Sequence, residues 1–413
     1  MTTTAGEVPH GRVVDFDIYE PAVPGPVDAM HERIAELTRH GPIVYSTAHG
    51  GHWVVTGYDL IQQVHRDPAT FSSSSVNLTS ISDRKQLPIE LDPPLHTAFR
   101  KALQPLFSPT RMKALEPQIR STINGLIDGF AARGECEFVA EFAHELPASV
   151  FLTLMGWPVE DGPMFTEQTD IALIGVPGAT PEESDAARLE AANRMYDYFG
   201  TMVTERRGSG ATDPDDVTAA VIDSQLDVDG ETRSLTDDEL CQMFYLLLIA
   251  GLHTVQGSLA WSMMLLSQEP EQRQQLVADP SLIPAAVEEI LRIETATTTA
   301  RVVACDTELG GVPLKEGDRV LTVLAGANRD PREFDRPDAL RIDRTPNRHL
   351  AFGSGPHRCI GSHLARIELR IALEELHRRI PNYWVDPDQP PISHASQVRG
   401  VVRLPLKFTP ERP

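Results

Sequence analysis

Phe352-Gly353-Ser354-Gly355-Pro356-His357-Arg358-Cys359-Ile360-Gly361 is the stretch on which the reading of this chain turns. It places a single cysteine among three glycines, one proline and two basic side chains. Ile360, Leu364, Ile367 and Ile371 follow at helical spacing, with Leu369, Leu373, Leu376 and Ile380 on a second stripe. That periodicity predicts a helix that is apolar over much of its circumference and begins at the cysteine. A helix N-terminus carries unpaired N–H groups and a partial positive charge, and both favour a thiolate over a thiol. Gly353, Gly355 and Gly361 have no side chains, so a flat, bulky ligand can approach this backbone. A zinc site built from His357, Cys359 and His363 is the remote alternative. Zinc sites usually show two spaced ligand pairs, whereas Cys136, Cys241 and Cys305 are isolated in the sequence.

Working outward, the 413 residues carry a net charge of -22, which argues against a general affinity for nucleic acid or an anionic membrane. Hydrophobic residues make up 41% and charged residues 23%, values ordinary for a soluble globular protein. Four scattered cysteines fit a reducing, cytoplasmic setting better than a disulfide framework. Met1 to Gly11 lacks the basic and apolar regions of a signal peptide, and residues 1–12 are expected to be disordered. No run of about twenty apolar residues occurs, so no membrane span is expected.

Thr236 to Gln268 is the second organising element. Thr236 and Glu239 form a capping box, and Met243 to Leu252 is almost wholly apolar, so a long helix buried on most sides is expected. His96 and Arg100 are four apart and share one face of a predicted helix over 96–107. Glu289 and Arg292 form a Glu-x-x-Arg pair. Strand-like runs at 42–46, 52–56, 301–306, 311–314, 319–323 and 383–407 predict a small β region. Asp227 to Gly230 hints at a calcium loop. Gln225 and Thr236 stand where the first and last acids belong, so it reads as a turn.

Through Phe352, Gly353, Gly355, His357, Cys359 and Gly361 the chain resembles the cytochrome P450 monooxygenases, and the other elements follow in that family's order. The resemblance implies a mainly α fold with a smaller β region, in which haem lies between the long central helix and the cysteine loop, in one domain over 1–413. It implies haem b as the cofactor and Cys359 as the axial ligand of its iron. Further haem contacts are implied at His96, Arg100, Arg301, Phe352, His357 and Gly361, and a buried structural ion pair at Glu289, Arg292 and Arg344. Catalytic roles fall to Thr254 and to His253, which stands where the family usually has an acid. Leu246, Ile249, Ala250, Ala296, Thr297, Thr299, Gln397 and Val398 are expected to line the substrate pocket.

The implied activity is oxidation of a small-to-medium, largely apolar organic molecule by O2. Electrons are expected from an external ferredoxin and ferredoxin reductase, because no dinucleotide fingerprint and no fused reductase are seen. A monomer is expected. Arg399 keeps a charged substrate open. Two readings of His253 stand side by side: a proton relay, since an imidazole titrates near neutrality, or a plain helix residue bonded to a neighbouring carbonyl. Loss of the acid also leaves open a peroxide-driven haem enzyme or a non-catalytic haem-thiolate ligand binder.

Overall fold

The computed structural model describes residues 2–19, 29–79, 82, 84–209 and 216–411. Its helical body is built on Asp237–Gln268, a helix of 32 residues. Its start is sealed as the sequence predicts: Glu239 N–H donates to Thr236 Oγ1 at 3.2 Å, and Thr236 N–H donates to Glu239 Oε2 at 2.9 Å. Among the described residues it is the one helix long and apolar enough to cross a membrane, but 78% of that apolar window is buried inside the molecule. The helices Glu145–Met155, Gly162–Ile174, Pro181–Ser209, Ile283–Ile293 and Ser362–Arg379 pack around it. Apolar side chains must leave water on every face, and a helix with no polar face achieves this only at the centre.

The β region centres on a six-stranded sheet in the order 13–14, 43–46, 52–55, 319–323, 298–303, 71–72. Ile43–Ser46 and His52–Val55 form the expected antiparallel hairpin, and Arg319–Val323 lies parallel to its second strand. Thr299 faces Thr322 and Arg301 faces Val320 across the neighbouring antiparallel pair. Because side chains alternate along a strand, Thr299 and Arg301 emerge on the same face. Asp229 and Gly230, with φ of 52° and 84°, turn the hairpin between 225–228 and 231–234, which bears out the turn.

The expected disorder of residues 1–12 is corrected over residues 2–12. Ala5–Glu7 and His10–Arg12 form short 3-10 turns. Asp318 accepts from Thr3 N–H and Oγ1, both at 2.7 Å, and from the indole of Trp53 at 3.0 Å. One buried carboxylate thus ties the N-terminus to the sheet, through partners that local composition does not reveal. The strand expected over 301–306 runs instead over Thr298–Val303. Gly208 to Asp216 reads from its Gly, Asp and Pro content as a loop, and residues 210–215 of it lie outside the described residues.

Candidate active site around Cys359

The cysteine loop is folded by its own backbone. Cys359 N–H donates to the Phe352 carbonyl at 2.9 Å, and Gly353 N–H to Leu350 at 2.8 Å. Gly353 and Gly355 have φ of 67° and 70°, the left-handed region that suits glycine. A Cβ at Gly355 would sit 2.1 Å from the carbonyl oxygen of His65, so this position also needs the smallest residue to lie against the helix Tyr58–Arg66. Gly361 caps the helix Ser362–Arg379, and a Cβ there would be 4.0 Å from Cys359 Sγ. Cys359 is open on one side and enclosed on the other. Enclosure pushes its thiol up, while a hydrogen bond with the Gly361 backbone and the charges of Arg100, Arg366 and Arg358 pull it back toward the thiolate.

Phe352 lies under the guanidinium of Arg366, 4.4 Å from the ring centroid. Arg366 in turn grips Glu288 through two bonds of 2.6 and 2.8 Å, and His349 joins the same carboxylate at 2.9 Å. Reading the sequence missed this Glu288–Arg366 brace. Nothing local marks it, since the partners are 78 residues apart.

Beside the loop, the fold gathers basic groups from four separate segments. The His96 and His357 rings lie 3.9 Å apart, and His357 Nε2 pairs with Ser73 Oγ at 3.0 Å. Burial lowers His96 to about 4, helped by Arg100 and Arg301 and opposed by Asp92. Burial likewise lowers His65 to about 3, with Arg301 adding to it, and brings Arg301 itself down to about 10. The enclosed imidazoles are thus neutral, and Asp92 is the carboxylate whose charge acts on Arg301. Arg100 donates to the Arg358 carbonyl at 2.7 Å. His96 Nδ1 and Ser354 Oγ are buried without any protein partner. His65 was not foreseen, and no signal in its own neighbourhood singles it out.

On the central helix, a stripe opens within an otherwise buried element. Leu246, Gly251 and Thr254 are half-buried and Ala250 is exposed, while Ile249 and Leu252 are buried in the core. The spacing of four between 246, 250 and 254 puts these three on one face. Thr254 Oγ1 donates to the Ala250 carbonyl at 2.9 Å. A Cβ at Gly251 would lie 2.6 Å from the Phe151 ring, so glycine here lets the neighbouring helix come close. Ala296, Thr297, Thr299 and Val398 are half-buried, and Thr297 bridges to Val398.

Two polar residues differ from expectation. Gln397 accepts from Leu78 N–H at 2.7 Å and Tyr19 O–H at 2.5 Å, and donates to the carbonyls of Val76 and Thr298 at 2.9 and 3.1 Å. Its amide stitches a loop to the sheet and has no group left for a substrate. Arg399 is buried, with its guanidinium 3.6 Å from Glu294 and donating to the Thr295 carbonyl at 3.0 Å. It serves the interior, so it is not the counter-charge for a charged substrate. His253 is buried too, and its partners are an imidazole and a carboxylate rather than a backbone carbonyl. Its Nε2 lies 2.9 Å from His394 Nε2 and its Nδ1 3.4 Å from Asp170.

Glu289, Arg292 and Arg344 meet as the sequence implied. Arg292 binds both oxygens of Glu289 at 2.7 and 2.8 Å, and Arg344 Nε reaches the same carboxylate at 2.9 Å. Among the described residues, no group of three or more His, Cys, Asp or Glu is arranged to hold a metal ion. That set includes His357, Cys359 and His363, so the zinc alternative gains no support.

The family model for cytochrome P450 matches residues 180–410. The chain belongs to the cytochrome P450 family. It is 34% identical over 411 residues to a probable cytochrome P450 127A1 of Sinorhizobium fredii, covering 97% of this chain and 96% of that one. It is 33% identical over 361 residues to a steroid C26-monooxygenase of Mycobacterium tuberculosis, covering 86% of this chain and 88% of that one. The crystal structure of CYP101J2 superposes with a TM-score of 0.86 at 30% identity, covering 99% and 100% of the two chains. The P450 fold is mainly α with a smaller β region, and P450 monooxygenases use haem. The site fits that group: an exposed cysteine lies on a glycine-rich loop that a flat ligand can approach, and the enclosed guanidinium of Arg301 with orphaned His96 Nδ1 and Ser354 Oγ suits carboxylates.

Proposed function

We propose that this P450 hydroxylates, or otherwise oxidises, a small-to-medium, largely apolar organic substrate. Haem b would be held through the Cys359 thiolate, with His96, Arg100, Arg301 and His357 receiving its carboxylates and Phe352 and Gly361 shaping the loop around the cysteine. When bound, the haem supplies thiolate-ligated iron able to activate O2 for C–H oxidation. The protein's own part is to enclose the substrate, exclude water and manage protons. The half-buried apolar and hydroxyl groups at Leu246, Ala250, Ala296, Thr297, Thr299 and Val398 favour a neutral molecule, and Ile249 backs them from the core. The hydroxyl of Thr254 stands on the open stripe, where it can accept and pass a proton. His253 serves behind it as a proton-handling residue.

The observation that carries this reading is the gathering of Arg100 and Arg301 with the orphaned His96 Nδ1 and Ser354 Oγ beside an exposed cysteine. Reduced protein under carbon monoxide should absorb at the position peculiar to thiolate ligation, and Cys359→Ala should lose that band. A variant that keeps it would defeat the assignment. Screening compounds for the spectral shift that marks loss of water from ferric haem would then name the substrate class. Hydroxylation driven only by peroxide, and never by O2 with electrons, would favour the peroxide-driven reading instead.

Electrons would come from a ferredoxin and its reductase, within a cytoplasmic setting. Lys101, Lys113 and Arg358 are exposed, with Arg100 and Arg111 beside them, on a chain of charge -22. Arg100 and Arg358 line a recess of about 560 Å³ that reaches Cys359. An acidic partner would be steered to this face, so the transfer rate should fall steeply with salt.

A further inference from the structure

The central helix carries a histidine where the family resemblance placed an acid, yet a carboxylate is present nearby. Asp170, near the end of the helix Gly162–Ile174, lies 3.4 Å from His253 Nδ1 through Oδ1 and 3.6 Å from His144 Nε2 through Oδ2. On its other side His253 Nε2 meets His394 Nε2 at 2.9 Å, with the rings tilted by 54°. Four titratable side chains from four segments therefore form one array. Exposure falls along it, from 32% at Asp170 and 21% at His144 to 2% at His253. His394 is buried, and its Nδ1 has no partner in the protein.

The backbone is shaped to hold this pair. A Cβ at Gly400 would lie 2.7 Å from His394 Nε2, and one at Gly257 would lie 3.1 Å from the Arg399 carbonyl. Two glycines thus let the strand Gly400–Arg403 press against the central helix, and Gln256 Nε2 pins them by donating to the Val401 carbonyl at 2.9 Å. Two imidazole nitrogens 2.9 Å apart require one to be an N–H donor and the other a lone pair. With His394 Nε2–H donating to His253 Nε2, His253 Nδ1–H faces Asp170, and His394 Nδ1 is left a bare lone pair. Reversing every bond moves that vacancy to the Asp170 end. Such an array carries a proton in either direction.

We propose that Asp170, His253 and His394 form a proton wire between solvent and the buried nitrogen of His394, with Asp170 supplying from a neighbouring helix the acid that position 253 lacks. The wire rests on the haem-thiolate reading above. A proton taken from water at Asp170 passes to His253 Nδ1, the Nε2 proton of His253 passes to His394 Nε2, and His394 hands its Nδ1 proton to a water molecule seated against that nitrogen, which has no protein partner. One proton enters, one leaves, and no electrons move. His394 begins the segment that leads to Val398, which pairs with Thr297, and His253 directly precedes Thr254. His144 flanks the entrance, and Glu137 and Glu145 are the further charges that act on it. Burial, with His253 and His144 adding to it and Asp170 opposing, lowers His394 to about 3. It therefore stays a neutral ring with a single N–H, as the alternation of donor and lone pair along the array requires.

The test uses histidine-labelled holoprotein in the reduced, carbon-monoxide-bound state, which is diamagnetic. Long-range proton–nitrogen spectra should show His253 and His394 as singly protonated rings joined by one N–H···N bond. Asp170→Asn should move His253 from the Nδ1–H toward the Nε2–H tautomer, and Asp170→Glu should restore the parent balance. His394→Gln should change the protonation pattern of His253. The second readout is reoxidation of dithionite-reduced protein in air, whose pH profile and solvent deuterium effect should both shift in Asp170→Asn. An identical His253 tautomer balance in parent and Asp170→Asn, with an unchanged deuterium effect, would overturn the wire. The thiolate band of the same samples reports on the haem reading separately: a normal band with unaltered histidines defeats the wire alone.

Discussion

Arg344 Nε reaches both oxygens of the Glu289 carboxylate, at 3.0 and 2.9 Å, across 55 residues of chain. Glu289 and Arg292 are fully buried and Arg344 nearly so. Removing one member leaves buried charge without compensation, which costs about 3–5 kcal/mol. Glu289→Ala should therefore lower the unfolding free energy measured in urea by that much and reduce haem incorporation with it. An unfolding free energy within about 1 kcal/mol of the parent would contradict the lock.

Gly251 faces three atoms of the Phe151 ring at 2.6 to 3.2 Å from where a Cβ would stand. Alanine gains about 1 kcal/mol in helix propensity over glycine, but overpacking against a rigid ring costs about 1–3 kcal/mol. Gly251→Ala should be net destabilising in thermal melts, and Phe151→Leu in the same chain should recover most of the loss. A more stable single variant would show that the ring has room to move.

Glu288 gives a pH dependence with a definite sign. Burial pushes its carboxyl up, but hydrogen bonds from Arg366 and His349 outweigh that and bring it from 4.5 to about 2. A depressed carboxyl stabilises the fold above its unfolded value, and that contribution disappears as pH falls from about 4.5 through 2. Stability measured between pH 5 and 2 should fall less steeply in Glu288→Gln, which is already weakened at pH 7. Parallel curves for the two proteins would contradict this.

Arg301 sits among His65, His96 and His357. A charged hydrogen bond to a haem carboxylate contributes about 1.5–3 kcal/mol. Arg301→Ala should therefore release haem to an excess of a haem-scavenging apoprotein about ten- to a hundredfold faster, with Arg301→Lys in between. An unchanged release rate would remove Arg301 from the cofactor site.

What could be read from the sequence was what lies close together in it. The capping box at Thr236 and Glu239, the cysteine between its glycines, and Glu289 three residues from Arg292 are local patterns, and each folds as expected. The cation cluster was half visible, because His96 and Arg100 share a helix face while His65 carries no mark. Gln397 looked like a pocket residue until its partners at Leu78 and Val76 were placed, 319 and 321 residues away. His253 likewise gained meaning only from His394, 141 residues on. Pairings of that length are decided by how elements pack, and no spacing rule reports them.

The arginines of the ion pair do more than hold Glu289. Arg292 donates to the carbonyls of Asn328, Pro337 and Ala339, and Arg344 to those of Asp335, Arg336 and Ala339. Every amino acid carries a carbonyl, and the side chains of Asp335, Arg336 and Asp338 face water. The path of this segment is thus dictated without dictating its spelling. Positions 335 and 338 can drift to other residues while the loop keeps its shape, position 336 less freely because its φ of 46° suits few side chains, and the burden of staying the same falls on the two arginines that read it.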